Sequence, residues 1–76
     1  MNRGDVIVTH HALARYIERV QPLISADRAR QQIVTILSSP RLKEAMILLG
    51  AARYQIHAQG IVFCVSAGVV ITCYPL

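Results

Sequence analysis

The chain has 76 residues, which is room for one domain and not for two. Hydrophobic residues make up 54% of it and charged residues 16%, a composition that excludes an intrinsically disordered protein. Eight Lys and Arg against four Asp and Glu give a net charge of +4, and most of the cations are Arg, which pairs with phosphate through two parallel hydrogen bonds. We therefore predict a single domain over residues 1–76, with nucleic acid or an acidic protein as its partner.

The location of the protein is inferred from its apolar runs and its cysteines. Runs such as residues 45–49 and 61–65 are far shorter than the roughly 20 residues of a membrane-spanning helix. No secretory leader pattern is present, so we expect a cytoplasmic protein with no membrane partner. Cys64 and Cys73 are then expected to be reduced. A metal site formed by these cysteines with His57 is an alternative, but the spacing is no recognised ligand pattern, and we predict neither metal nor cofactor.

The first third of the chain predicts a strand that leads directly into a helix. Residues 6–8 are β-branched and suit an edge strand, and Thr9 is a good N-cap for a helix over residues 10–20. Apolar side chains recur with helical spacing on one side of this segment: Leu13, Tyr16, Ile17 and Val20. Cationic and other polar side chains share the opposite side: His11, Arg15, Glu18 and Arg19. The helix is predicted to be amphipathic, with a cationic stripe.

The middle of the chain predicts a second helix and then a segment of uncertain type. Ser25 is expected to cap a helix that continues to about residue 38, with Asp27 in its first turn, where the helix dipole favours an acid. Pro40 is expected to end it. Residues 42–49 contain helix-forming Ala, Met and Leu in a run too short to decide by periodicity, and we predict a strand-like or irregular segment there.

The last third predicts a three-stranded antiparallel meander. Its strands are Arg53–Ala58, Ile61–Ser66 and residues 69–74, separated by the turn pairs Gln59-Gly60 and Ala67-Gly68. The predicted fold class is therefore α+β: β-α-α followed by this meander, with the helices packed on one face of the sheet.

Two-residue turns also predict which side chains share a face of the meander. The predicted pairs on one face are Ala58 with Ile61, Ile56 with Phe63, Tyr54 with Val65, Val65 with Val70, Phe63 with Thr72 and Ile61 with Tyr74. The second face is then predicted to carry Arg53, Gln55, His57, Val62, Cys64, Ser66, Val69, Ile71 and Cys73. We expect the helices to cover the face with Phe63. The second face stays partly apolar, which is typical of an interaction surface.

A motif in the first helix resembles that of a known group. His11-Ala12-Leu13-Ala14-Arg15-Tyr16-Ile17-Glu18-Arg19 resembles the His-Ala-x-x-Arg-x-x-Glu-Arg signature of a small domain family of uncharacterised function. That family is similar to the Barnase–EndoU–colicin–RelE group of metal-independent ribonucleases and toxins. In some toxins of this group a His and an Arg from the helical part work with a Thr-x-Tyr pair on the last strand, which Thr72-Cys73-Tyr74 matches here.

The resemblance implies a metal-independent ribonuclease that cleaves RNA by attack of the ribose 2′-OH on the adjacent phosphate. Such a reaction needs a proton acceptor, a proton donor and positive charge at the phosphorane. The implied catalytic residues are His11 as general acid or base, Arg15 and Arg19 on the phosphate, and Thr72 and Tyr74 as assisting groups. His10 and Arg53 are assigned to substrate binding. A toxin of this kind is expected to have an antitoxin or immunity protein as partner.

Two other interpretations remain open at this point. Arg15, Glu18 and Arg19 equally suit ordinary surface ion pairs, and Thr72 and Tyr74 are common strand residues. If the apolar side of the first helix packs on the sheet, its cations point away from Thr72, and a shared site requires a cleft at the sheet margin. The rival function is a non-catalytic interaction module of the same fold, of phage or mobile-element origin, that binds a protein or forms a homodimer through the second face.

Overall fold

The structure is a computed structural model that describes residues 6–76. It is an α+β domain with three helices and a four-stranded mixed sheet, which confirms the predicted class. In chain order the elements are β1 (Ile7–Val8), α1 (His10–Arg19), α2 (Ala26–Ile36), α3 (Pro40–Leu49), β2 (Arg53–Ala58), β3 (Ile61–Ser66) and β4 (Val69–Pro75). In residues 6–76 no helix has the length and apolar character needed to cross a membrane.

Each helix starts at a hydroxyl-bearing cap. Thr9, Ser25 and Ser39 have extended backbones, and each side-chain oxygen accepts a hydrogen bond from the backbone N–H three residues later. These bonds satisfy N–H groups that the first helical turn leaves without partners. The predicted caps Thr9 and Ser25 are confirmed, and α2 ends at Ile36, slightly before its predicted end.

The prediction for residues 42–49 is wrong, because this segment is the second half of α3. Pro40 does not merely end the preceding helix but occupies the first turn of the next one, where its missing N–H costs nothing. Ser39 caps the helix, and Gly50, with a φ of 58°, ends it. The local start and stop signals therefore decide the segment, since the run of apolar residues alone is compatible with either structure.

The sheet has the strand order β1-β4-β3-β2. Strands β2, β3 and β4 form the predicted antiparallel meander, and β1 adds to it as a short edge strand parallel to β4. The turn residues Gln59, Gly60, Ala67 and Gly68 all have positive φ, which is typical of the tight two-residue hairpin turns whose twist matches that of the strands. Because β1 is parallel to β4, the sheet is mixed rather than a pure antiparallel meander.

The predicted register is correct between β2 and β3 but wrong along most of β4. Val65 lies opposite Val70 as predicted, but an irregularity then shifts the pairing by one residue. Phe63 therefore lies opposite Cys73 rather than Thr72, and Ile61 opposite Pro75 rather than Tyr74. Because side chains alternate along a strand, this one-residue bulge moves the following side chains to the opposite faces from those predicted.

The sheet consequently has two different faces. The helix face carries Tyr54, Ile56, Ala58, Ile61, Phe63, Val65, Val70 and Cys73, and it forms the core with buried residues of α1 and α2. The opposite side, here called the open face, carries Ile7, Arg53, Gln55, His57, Val62, Cys64, Ser66, Val69, Thr72 and Tyr74. Cys73 was predicted on the open face and Thr72 and Tyr74 on the helix face, and all three are reversed.

Helix α1 packs directly against β4. The Cys73 thiol donates to the carbonyl oxygen of Ala12 at 3.6 Å, and the Thr9 backbone N–H donates to the carbonyl oxygen of Val70 at 3.1 Å. Helix α2 contributes Ala29 and Ile33 to the same core. Helix α3 has no fully buried residue and packs only through partly buried side chains such as Met46. Helix α1 therefore lies directly over β4 at Ala12 and Cys73.

Candidate functional site

The two histidines lie in the first turn of α1, and both are exposed. This turn is fixed beside β4 by Thr9, whose hydroxyl proton is shared between the carbonyl oxygens of Val70 at 3.1 Å and Ile71 at 3.3 Å. The same hydroxyl accepts from the backbone N–H of Ala12 at 3.0 Å. The sequence His10-His11 is thus presented to solvent from a rigid position at the end of β1.

The two arginines of the cationic stripe differ in their surroundings. The Arg15 guanidinium lies 2.9 Å from the Glu18 carboxylate, and the Arg19 Nε is 3.9 Å from the same carboxylate oxygen. All three side chains are substantially exposed, so each pair contributes at most about 1 kcal/mol. Arg15 therefore belongs to an ordinary surface ion pair, whereas Arg19 has a looser contact and lines a groove beside α2.

Thr72 and Tyr74 point to the open face, away from α1. They share that face, as predicted, since they lie opposite Cys64 and Val62. The Gln55 side-chain amide contacts this group: its Nε2 donates to the Tyr74 hydroxyl at 3.4 Å and lies 3.9 Å from the Cys64 sulfur.

Arg53 begins β2 on the open face, opposite Ser66, and is exposed. The seven predicted residues therefore do not form one site. His10, His11, Arg15 and Arg19 belong to α1 on the helix side of the sheet, whereas Arg53, Thr72 and Tyr74 belong to the open face.

A groove of about 700 Å³ lies on the helix side, between the end of α1, α2, the β2–β3 turn and the end of β4. It is lined by Tyr16, Arg19, Val20, Gln21, Arg28, Gln31, Gln32, Thr35, Ile36, Gln59, Gly60, Ile61 and Pro75. Two cations and four side-chain amides are thus gathered around one concave surface. No Asp or Glu of the described chain is among the lining residues.

The floor of the groove is a buried phenol paired with an amide. The Tyr16 hydroxyl donates to the Gln32 Oε1 at 2.6 Å. Burial, and secondly the nearby Cys73 thiol, raise the pKa of Tyr16 above its ordinary value. The phenol therefore stays protonated at neutral pH and remains a hydrogen-bond donor, which holds Gln32 with its amide nitrogen free to donate.

Arg28 is the groove residue that the sequence reasoning missed. It lies in the first turn of α2, and within residues 6–76 its guanidinium forms no ion pair. Arg30, two residues later, points elsewhere and lies 3.8 Å from the Asp27 carboxylate. The sequence spacing of Arg19 and Arg28 does not predict that they line one groove. They belong to different helices, and the packing of α1 against α2 decides how close they lie.

The cysteines give no metal site in this structure. Cys73 is buried on the helix face and Cys64 is half-buried on the open face, and neither forms a disulfide. In the part of the chain that the structure describes, no three His, Cys, Asp or Glu side chains converge as metal ligands. The alternative site that combines both cysteines with His57 is wrong, because the bulge in β4 places the two thiols on opposite faces.

Comparison of the chain with protein-family models, with curated proteins and with solved structures finds no match. What bears on the function of this protein is therefore the chemistry of its own side chains, above all the cationic groove.

Proposed function

We propose that this chain is a small RNA-binding domain that holds phosphate groups of the RNA backbone in the groove between α1 and α2. The observation that carries the proposal is the composition of the groove: Arg19 and Arg28 face a concave surface of about 700 Å³ that no Asp or Glu of the described residues lines. The volume is in the range of clefts that hold a small ligand or one unit of a polymer.

The groove side chains suit a polyanion that also carries hydroxyl groups. A guanidinium offers paired donors to a phosphate and cannot be deprotonated, so its attraction persists at any physiological pH. Amides such as Gln31 and Gln32 both donate and accept, and can therefore bond a ribose 2′-OH, the group that distinguishes RNA from DNA. The net charge of +4 adds a long-range attraction for nucleic acid. The resemblance of the His11-to-Arg19 motif to the ribonuclease-toxin group also favours RNA.

The proposal is tested by fluorescence anisotropy with a labelled single-stranded RNA of mixed sequence. We expect Arg19→Ala and Arg28→Ala each to weaken binding about 5- to 10-fold, because each removes one phosphate contact. The double variant is expected to reduce the slope of log K against log salt by about 1.4, from two contacts at about 0.7 each.

Arg30→Ala is the matched control, since it removes one positive charge from the same helix outside the groove. If the Arg30→Ala protein loses as much affinity as the Arg28→Ala protein, binding reflects net charge alone and the groove proposal fails. Undiminished binding by the double variant would also contradict the groove proposal, because neither guanidinium would then contact the RNA.

A second candidate is metal-independent cleavage of the bound RNA. The observation that favours it is the exposed His10-His11 pair in the first turn of α1, on the same helix as Arg15 and Arg19. An imidazole has one ring nitrogen that accepts a proton and one that donates it, so it is suited to accept the 2′-OH proton or to protonate the leaving oxygen. Proximity to a bound phosphate is the remaining requirement, and the groove residue Arg19 is two helical turns from His11.

Cleavage is measured with RNA in EDTA, with analysis of the product ends. A ribonuclease is expected to leave 2′,3′-cyclic phosphates, and His11→Ala is expected to abolish them. Thr72→Val and Tyr74→Phe, on the open face, distinguish two versions of this activity. Loss of cleavage in these variants means that both sides of the sheet act on the same RNA, whereas unchanged cleavage limits the reaction to α1. A folded wild-type protein that binds RNA without cleaving it is a binding domain only.

A further inference from the structure

One of the amides that line the groove differs from the others. Three of them are exposed: Gln21, Gln31 and Gln59. Gln32 is half-buried, and among the groove amides of residues 6–76 it is the one with a side-chain hydrogen bond, which its Oε1 accepts from the Tyr16 hydroxyl at 2.6 Å. Gln32 is therefore held in one orientation, whereas the exposed amides turn over at little cost.

The orientation of Gln32 decides which of its atoms remain available to a ligand. The Tyr16 side chain is 2% exposed, so turning the amide over would take the acceptor away from a buried O–H group, which is costly. The two N–H bonds of Gln32 Nε2 are not used by the phenol and remain available in the groove. Gln32 thus presents hydrogen-bond donors to a ligand.

The same hydrogen bond joins the two helices that carry the groove arginines. On α1, Tyr16 is three residues before Arg19, and on α2, Gln32 is four residues after Arg28. Side chains three or four residues apart lie on one side of a helix, and all four of these line the groove. The oriented amide is therefore grouped with two guanidinium groups, which are also donors and never acceptors.

We propose that Gln32 is a third phosphate ligand of the groove and that Tyr16 is the positioning residue that orients it. This inference rests on the proposed function, because it assigns a further residue of the same groove to the RNA backbone. A phosphodiester oxygen carries no proton at neutral pH and only accepts hydrogen bonds, which matches a group of donors. Gln31, which can turn over, is left to bond the ribose 2′-OH, a group that both donates and accepts.

The first test compares Gln32→Glu with Gln31→Glu by fluorescence anisotropy with the labelled RNA. Both variants place one negative charge in the groove, one helical turn from Arg28. In the Gln32→Glu protein the Tyr16 hydroxyl still donates to the new side chain, but an acceptor that repels phosphate replaces the donor. We expect Gln32→Glu to weaken binding at least about tenfold more than Gln31→Glu does. Equal losses would mean that only the added charge matters and would overturn the proposal.

A double-mutant cycle tests the role of Tyr16. Tyr16→Phe removes the hydroxyl and keeps the ring, and we expect it to weaken RNA binding about threefold because Gln32 can then turn over. Gln32→Ala is expected to weaken binding about fivefold, and Tyr16→Phe to cause no further loss when both changes are combined. Circular dichroism checks that each variant is folded. If the two losses multiply instead, Tyr16 acts through the fold and is not a positioning residue.

Oligonucleotides of defined composition identify the group that Gln32 contacts. A phosphate contact predicts that Gln32→Ala causes the same fold-loss for single-stranded oligo-A and oligo-U, and for RNA and DNA of one sequence. A loss confined to oligo-U would assign Gln32 to a base carbonyl. A loss confined to RNA would assign it to the 2′-OH. Either result would overturn the assignment to phosphate.

The arginine variants distinguish failure of this inference from failure of the proposed function. If Arg28→Ala weakens RNA binding and Gln32→Ala does not, the groove binds RNA without Gln32, and only the inference is wrong. If neither change affects the affinity, or if the wild type does not bind, the groove is not an RNA site, and both proposals are wrong.

Discussion

The two faces of the same sheet differ in burial, and neighbouring residues of one strand show the difference. Cys73 has 1% of its surface exposed and contacts α1, whereas Thr72 and Tyr74, on either side of it, point to the open face. The helix face is filled by apolar side chains that stabilise the fold. The open face retains polar groups that contribute little to a core. Position relative to the bulge in β4, rather than residue type, decides which role a side chain has.

The largest expected difference between the faces is in stability on truncation of an aromatic side chain. Phe63 is fully buried on the helix face, and Phe63→Ala is expected to cost about 3–5 kcal/mol because it leaves a cavity. A domain of this size has a total stability of about 4–11 kcal/mol, so the variant should be largely unfolded near neutral pH if the total lies at the low end. Tyr74→Ala on the open face is expected to cost under about 1 kcal/mol.

Urea denaturation followed by circular dichroism measures both changes. The contrast between the faces would be broken if Tyr74→Ala destabilised the protein as much as Phe63→Ala, since that result would place Tyr74 in a packed core.

The second difference concerns the two thiols at alkaline pH. Burial, and secondly the Cys64 thiol, raise the pKa of Cys73 from its ordinary 9.0 to about 11. Above pH 9 the unfolded chain therefore releases this proton while the folded chain keeps it, so the stability present below pH 9 is lost progressively as the pH rises to 11. A difference of one pKa unit between the folded and the unfolded chain corresponds to about 1.4 kcal/mol of stability.

The free energy of unfolding is measured from pH 8 to 11 in the wild type, Cys73→Ala and Cys64→Ala. Cys73→Ala is expected to flatten the decline between pH 9 and 10, and Cys64→Ala to retain most of it. Above pH 10 the buried phenols add to the decline, because burial also raises the pKa of Tyr16 and Tyr54. A decline of equal steepness in all three proteins would contradict the assignment to Cys73.

The third difference compares two threonines. Thr9 caps α1 and bonds β4, so Thr9→Ala is expected to cost about 1–2 kcal/mol. Thr9→Ser keeps the hydroxyl and should restore most of this loss. Thr72→Ala on the open face removes no comparable bond and should change stability by about 0.5 kcal/mol or less. Thermal unfolding of the three variants measures the contrast, which is lost if Thr9→Ser is as unstable as Thr9→Ala.

Much of the fold follows from local signals in the sequence. The Thr9 and Ser25 caps, the Gln59-Gly60 and Ala67-Gly68 turns and the register of β2 with β3 were all predicted, because each depends on residues close in the chain. The apolar residues of Pro40–Leu49 alone do not predict a helix, because the signals that start and end it are Ser39 and Gly50. Each of these features is decided by residues that lie close together in one short segment of the chain.

The arrangement of the candidate site could not be predicted in the same way. Opposite the step from Cys64 to Val65 in β3, the strand β4 contains one extra residue. No turn residue or periodicity in the sequence marks this bulge. Its consequence is large, since it moves Thr72 and Tyr74 away from α1. The groove formed by Arg19 and Arg28 depends on how α1 packs against α2, which is long-range information. The roles implied for His11 and Arg15 stay predictions.

The smallest expected effect is that of a substitution on the exposed side of α3. It tests whether burial, rather than membership of the helical layer, governs stability. Leu48 belongs to α3 but is 84% exposed, so Leu48→Gln removes little buried apolar area and keeps a good helix-forming residue. We expect a change in the free energy of unfolding within about 0.5 kcal/mol by urea denaturation. Met46→Gln on the same helix is the comparison, because Met46 packs against the core and its replacement buries an amide. If Leu48→Gln proves the more damaging of the two, the exposed side of α3 is covered in solution, and burial within the chain alone does not account for its contribution to stability.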